Sequence, residues 1–161
     1  MTDTKSVRIE RTFDAPIDLI WVMWTDAEHF ANWYGPQGAR IPKADMNVTV
    51  GGGRHIAMEM DTPDGTMQMF FVGEYLEVDP TTRLVYTERM ADANGNALTS
   101  EQMGMPAGAP METSVVVELV ALGERTSMVM THIGVPAGSP GGQGWEMAID
   151  KMTARVAELT R

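Results

Sequence analysis

Hydrophobic and polar residues alternate along much of this chain, with a helical rhythm at two places. From Ser6 to Phe13, Val7, Ile9 and Phe13 fall on one side and Arg8, Glu10 and Thr12 on the other, the period of a half-buried strand. Asp14-Ala15-Pro16 follows, and Pro16 suits the first position of a helix. Ile17, Ile20, Trp21 and Trp24 then share one helical face. Thr25 or Asp26 can cap a second short helix that runs to about Trp33 and stops at Gly35-Pro36.

Strand-like runs come next, each closed by turn chemistry. Ile41 to Val50 leads to Gly51-Gly52-Gly53, and Arg54 to Met60 ends at Thr62-Pro63-Asp64-Gly65. Met67 to Val78 ends at Asp79-Pro80, and Arg83 to Met90 ends in a polar segment. Thr113 to Leu122 and Thr126 to Val135 flank Gly123-Glu124, a hairpin signal. Short turns between consecutive strands describe an antiparallel meander. Ala91 to Pro110 reads as a long loop, either a lid over a cavity or a floppy excursion. Ser139-Pro140-Gly141-Gly142 breaks the chain. From about Gln143 a helix runs to the end, with Trp145, Ile149, Met152, Val156 and Leu159 in one apolar stripe.

Strand parity selects the residues that face the late helix. Leu84, Tyr86, Glu88 and Met90 share one face, opposite Val85, Thr87 and Arg89. Met128, Met130 and His132 are expected inward with Val115, Val117 and Leu119, as are Met58 and Met60. Met69 and Phe71 are the inward choice on a strand apolar on both parities. The 15 methionines fall largely on inward positions. They make either a methionine-tolerant core or an adaptable wall around an apolar ligand.

The 161 residues fit one domain, 1–161, with room for a core. Acids outnumber bases by 22 to 12, a net charge of −10, which disfavours nucleic acid and anionic membrane surfaces as partners. Cysteine is absent, so disulfides, thiolate metal sites and thiol nucleophiles are excluded. MTDTKSVRIERTF holds no apolar run, so no signal peptide is expected, and no stretch approaches the roughly 20 apolar residues of a spanning helix. A cytoplasmic location is the expectation. Three scattered histidines, His29, His55 and His132, have no ligand spacing, so neither a metal nor another cofactor is expected. Gly51-Gly52-Gly53 opens a strand and lacks a following Lys-Ser/Thr, so it reads as a turn or bulge.

FDAPIDLIW, WTDAEHFANWYGP, VGGGRHIAMEM with DGT after it, EYLEVDPTTRLVYTE, TSMVMTHIG and GGQGWEMAIDKM cover nearly the whole chain. In that order they resemble the START-like, or SRPBCC, superfamily. The nearest branch is the one related to the C-terminal domain of the activator of the Hsp chaperone ATPase. The resemblance implies an α+β helix-grip fold: a seven-stranded antiparallel curved sheet around a long C-terminal helix, with two short helices after the first strand. It implies no catalytic residue, because one such fold hosts carriers, cyclases and chaperone-activating domains. The excursion from Asn94 to Pro110 departs from the short connection of the simplest members.

A cavity between sheet and helix would be lined by Trp33, Met58, Met60, Met69, Phe71, Tyr86, Glu88, Met90, Met130, His132, Trp145, Ile149 and Met152. The expected occupant is an apolar small molecule. Glu88 and His132 are the polar residues on this face. Two strand spacings hold their strands about 10 Å apart, too far for direct contact but within reach of a bridging water or ligand. They form a polar anchor or an acid/base pair, with Tyr86 a third candidate, unless each bonds to local backbone or Tyr86. Binding without catalysis is the favoured reading. The alternatives are a cyclase- or hydratase-like enzyme using Glu88 and His132, and a chaperone-regulating interaction domain. Val85, Val116, Val120, Val129 and Ile133 on the outer face offer a homodimer surface.

Overall fold

A computed structural model describes residues 6–107 and 111–160. The chain runs β1 (Ser6–Phe13), α1 (Ile17–Thr25), α2 (Ala27–Trp33), β2 (Arg40–Met46), β3 (Gly53–Thr62), β4 (Gly65–Asp79), β5 (Arg83–Ala91), β6 (Thr113–Leu122), β7 (Arg125–Ile133) and α3 (Pro140–Leu159). All seven strands form one antiparallel sheet in the order β1-β7-β6-β5-β4-β3-β2. The first strand closes against the last, and the meander fills the space between. α3 lies across the concave face, where Trp145, Ala148, Ile149, Met152 and Val156 are buried. This is the expected helix-grip fold.

Several boundaries differ from expectation, each for a local reason. Pro16 precedes α1 as its N-cap and does not occupy its first turn. Asp26, and not Thr25, caps α2, accepting from the amides of Glu28 and His29. β2 ends at Met46, four residues before Val50, because Asn47 to Gly52 folds into a tight turn. In that turn Gly52 N–H donates to Thr49 O, and a Cβ on Gly52 would lie 2.0 Å from Asn47 O. α3 starts at Pro140, three residues before Gln143. The apparent break is a capped first turn, with Ser139 accepting from Gly142 N–H and Pro140 leading the helix. Leu159, last of the apolar stripe, is 46 % exposed.

The interior is aromatic at its centre. Trp24 lies 4.8 Å from Trp33 and 5.9 Å from Trp145 between ring centroids, which joins α1, α2 and α3. Such pairs contribute roughly 0.5–1.5 kcal/mol each beyond simple burial. On the outer parity of β5, Val85 and Thr87 are buried, contrary to a solvent-facing reading; Thr87 Oγ1 accepts from Glu74 N–H on β4. Val85 is thus unavailable to a dimer surface, whereas Val120 and Ile133 remain exposed.

The segment after β5 is folded over its described part. Asp92 accepts from the amides of Asn94 and Asn96, Ala97 bridges back to Ala91, and Leu98 N–H donates to Met90 O. It thereby pairs with the end of β5 beyond the reach of β6. Residues 108–110 of the expected lid lie outside the described residues. No described helix is long and apolar enough to cross a membrane.

Candidate functional site

A cavity of about 410 Å³ opens between the sheet and the first half of α3. Its size arises from a mismatch of side chains. α3 turns Gly141, Gly144 and Ala148 toward the space, so apart from Pro140 and Trp145 the helix contributes little bulk there. Opposite stand Met58 and Met60 on β3, Met69 and Phe71 on β4, and Met90 on β5. Met58 pairs with Met69 and Phe71 with Met90 across neighbouring strands, so the thioethers form a continuous wall. Tyr34, Gly35 and Pro36, just after α2, close one side, and Met111 and Val135 complete the rim.

A buried polar cluster forms the inner end, and Gly73 makes it possible. Arg54 on β3 pairs with Gly73 on β4, and the β4–β5 register brings Glu88 alongside Gly73 from the other side. Because Gly73 carries no side chain, Arg54 Nη1 approaches Glu88 Oε1 to 3.8 Å across the middle strand. A Cβ at Gly73 would lie 1.8 Å from Thr87 O. The Arg54 guanidinium lies over the Tyr86 ring, its carbon 3.8 Å from the centroid, and Nε donates to Tyr75 Oη. Glu88 Oε1 accepts from the Tyr34 hydroxyl at 3.0 Å.

Glu88 Oε2 lies 3.5 Å from His132 Nε2, so the two residues do come together. The strand spacing behind the contrary expectation is right; β5 and β7 do flank β6. What it omitted is that both side chains reach toward each other over Thr113, the β6 residue paired with Glu88. Hydrogen-bond directions here are forced. Trp145 Nε1–H can only donate, and it meets His132 Nδ1 at 2.8 Å. His132 therefore carries its proton on Nε2 and donates it to Thr113 Oγ1 at 2.8 Å. The Thr113 hydroxyl donates in turn to Glu88 main-chain O.

Burial holds the His132 pKa below its ordinary value; Glu88 opposes this and nearby Arg54 adds to it. Burial also pushes the Tyr34 hydroxyl well up, with Glu88 adding, so it stays a donor at neutral pH. Arg54 Nη1 and Nη2 and the Tyr86 hydroxyl are buried without hydrogen-bond partners. Among the described residues, no three His, Cys, Asp or Glu side chains gather as metal ligands.

Eight of the residues expected in the cavity line it: Met58, Met60, Met69, Phe71, Glu88, Met90, His132 and Trp145. Trp33, Tyr86, Met130, Ile149 and Met152 do not reach it and are packed into the core. Trp33 gives its indole N–H to Met23 O, and Tyr86 supports Arg54 from below. Parity assigns a residue to a face of the sheet but says nothing of its depth along the groove. Arg89, Met111, Thr113, Val135 and the small residues of α3 line the cavity without having been expected, Arg89 from the parity opposite Glu88. Arg54 shares the inward parity of Met58 and Met60, the one signal that could have pointed to it. None of the described residues 91–107 lines the cavity, so the lid reading has no support there.

A helix-grip protein with an apolar cavity ending in a buried ionic cluster is the class that this fold and site define. Within that class the chain belongs to the family described as activator of Hsp90 ATPase homolog 1-like protein, whose model matches residues 14–157. Solved structures agree on the fold. A protein of Chromobacterium violaceum is 24 % identical with a TM-score of 0.75, covering 94 % of this chain and 96 % of its own. One from Arthrobacter aurescens is 23 % identical with a TM-score of 0.76, covering 98 % and 90 %. A protein of the same family from Silicibacter pomeroyi is 19 % identical with a TM-score of 0.71, covering 95 % and 98 %. Comparison with curated proteins gave no match.

Proposed function

We propose that this protein is a binding module that takes an apolar small molecule into the cavity between the sheet and α3. The observation that carries this reading is the cavity itself. About 410 Å³ of space is walled largely by flexible thioethers and aromatic rings, with Glu88, His132 and Thr113 gathered in one polar cluster. That is the usual make-up of a small-molecule site: mostly apolar lining, a few oriented polar groups, and a volume within ~300–1,000 Å³. Methionine side chains adapt to different shapes, which suits a binder of several related molecules. A chaperone-regulating domain acting through its surface would have no need of this space.

The convergence of Glu88, His132 and Tyr34 favours a second reading as an enzyme of the cyclase or hydratase kind. It ranks lower because both imidazole nitrogens are engaged, one by Trp145 and one by Thr113. A histidine so held orients its neighbours and has no free nitrogen with which to take a proton from a ligand.

Native mass spectrometry of protein purified from its own host is the test. A retained apolar small molecule, displaced in Gly144→Leu, supports the reading. Protein that carries nothing, and that gains no thermal stability from a panel of apolar compounds, overturns it.

A further inference from the structure

The inner end of the cavity has a particular balance of donors and acceptors. Each donor beside Glu88 is spent. Tyr34 O–H goes to Glu88 Oε1, Trp145 Nε1–H to His132 Nδ1, His132 Nε2–H to Thr113 Oγ1, and Thr113 O–H to Glu88 main-chain O. The further lining cation, Arg89, follows Glu88 on the opposite parity of β5 and gives its Nη2–H to Leu98 O, while its Nε is unpaired. The terminal nitrogens of Arg54 make no hydrogen bond, but they face Glu88 Oε1 and Arg54 is not part of the cavity wall. What remains open is an acceptor. Glu88 lines the cavity, and its Oε2 accepts no short hydrogen bond; the nearest donor, His132 Nε2, is 3.5 Å away and committed to Thr113.

Charge narrows the choice further. Glu88 already faces Arg54 at 3.8 Å, so the buried pair is close to neutral. A ligand carboxylate placed against Glu88 would meet a like charge, and Tyr34, Thr113, His132 and Trp145 around it have no free donor to receive it, at a large cost in an apolar wall. A ligand ammonium would leave an excess positive charge beside the buried guanidinium. A neutral donor meets neither difficulty.

We infer that the cavity selects uncharged, largely apolar molecules bearing a hydroxyl, an alcohol or phenol, whose proton is donated to Glu88 Oε2, and that it rejects the corresponding acids. This rests on the binding role proposed above and adds the chemical class of the ligand.

Titration calorimetry with four probes on one ring system tests it: 2-naphthol, 2-methoxynaphthalene, 2-methylnaphthalene and 2-naphthoate. The wild-type protein should bind 2-naphthol about tenfold more tightly than 2-methoxynaphthalene, which keeps the oxygen and loses the donor, because a hydrogen bond to a charged acceptor is worth roughly that factor. It should bind 2-naphthoate most weakly. In Glu88→Gln, Tyr34 would hold the amide oxygen and leave the amide N–H₂ toward the ligand. That variant should lose about tenfold for 2-naphthol, gain for 2-naphthoate, and leave 2-methylnaphthalene within about twofold. Equal wild-type binding of 2-naphthol and 2-methoxynaphthalene, or wild-type binding of 2-naphthoate as tight as that of 2-naphthol, overturns the inference while leaving apolar binding intact. The wild-type comparison stands even if Glu88→Gln does not fold. Failure of all four probes, 2-methylnaphthalene included, overturns both readings.

Discussion

Trp145 Nε1 donates to His132 Nδ1 at 2.8 Å, and this bond decides where the imidazole keeps its proton. An indole N–H has no acceptor capacity, so Nδ1 must be bare and Nε2 must be the donor. The consequence runs from α3 through β7 and β6 to the Glu88 backbone on β5. A helix and three strands are thus aligned by one chain of bonds at the end of the cavity.

This predicts how stability depends on acid. The His132 pKa is lowered in the folded protein, so the unfolded chain binds the proton more readily. Stability contributed by the neutral imidazole is present above the unfolded value near 6.5 and is lost as pH falls below it. The melting temperature should fall from pH 7 to pH 5 in the wild type and fall less in His132→Gln. In ¹⁵N-edited spectra the ring should be the Nε2–H tautomer at pH 6.5. A half-protonated ring at that pH, or an Nδ1–H tautomer, contradicts the bonding described.

Gly73 is expected to be intolerant. A methyl there would overlap Thr87 O, which is backbone and cannot move without opening the β4–β5 ladder. Gly73→Ala should cost more than about 2 kcal/mol in urea unfolding, well above an ordinary glycine-to-alanine change. A near-neutral result would show that β4 can shift, and that the approach of Arg54 to Glu88 does not depend on this glycine.

Gly144 should behave in the opposite way. A Cβ there has nothing closer than Pro36 Cδ at 4.0 Å, and the position is inside a helix. Gly144→Ala should stabilise the protein by roughly 0.5–1 kcal/mol through helix propensity alone. Gly144→Leu should keep the fold, by circular dichroism, and block the cavity to 2-methylnaphthalene in calorimetry. Retained binding in the leucine variant would place the ligand elsewhere.

Lys151 ties the cavity rim to α3. Its Nζ donates to Tyr34 O at 3.3 Å and Pro36 O at 3.1 Å, and partial burial lowers its pKa. Lys151→Met should leave global stability within about 1 kcal/mol, since the ammonium is only partly buried at the rim and its partners are main-chain oxygens with access to water. It should raise amide hydrogen exchange in the turn that carries Tyr34 and weaken ligand binding. Unchanged exchange there would show that packing alone holds the turn.

Tyr34→Phe removes the one donor to Glu88 Oε1 without changing ring packing against Phe30, 4.5 Å away between centroids. A buried carboxylate stripped of such a bond should cost roughly 1.5–3 kcal/mol in chemical unfolding. A cost below about 0.5 kcal/mol would mean that Arg54 alone satisfies that oxygen.

Much of this architecture was legible from one sequence. Alternation in Arg83 to Met90 and Thr126 to Val135 put Glu88 and His132 on the helix-facing side, and both are buried there. The methionine wall was legible for the same reason, because parity is a local property of each strand. Depth was not. Met130 and Met58 look alike by pattern, yet one is core and the other lines the cavity, since a position along the groove depends on register with neighbouring strands. Arg54 shares the inward parity of Met58, but nothing in its local sequence marks a charged side chain beside a glycine turn as buried.

The order of turns, the two aromatic helices and the apolar stripe of α3 determined a sheet closed around a helix, because each element must bury its own apolar face. Where that sheet leaves a void, and which polar groups meet at its end, only the tertiary structure decided. Arg54, Gly73 and Glu88 lie on three strands, His132 and Trp145 on a fourth strand and on α3, and Tyr34 just after α2. Their meeting depends on pairing register and sheet curvature, which no single stretch of sequence encodes.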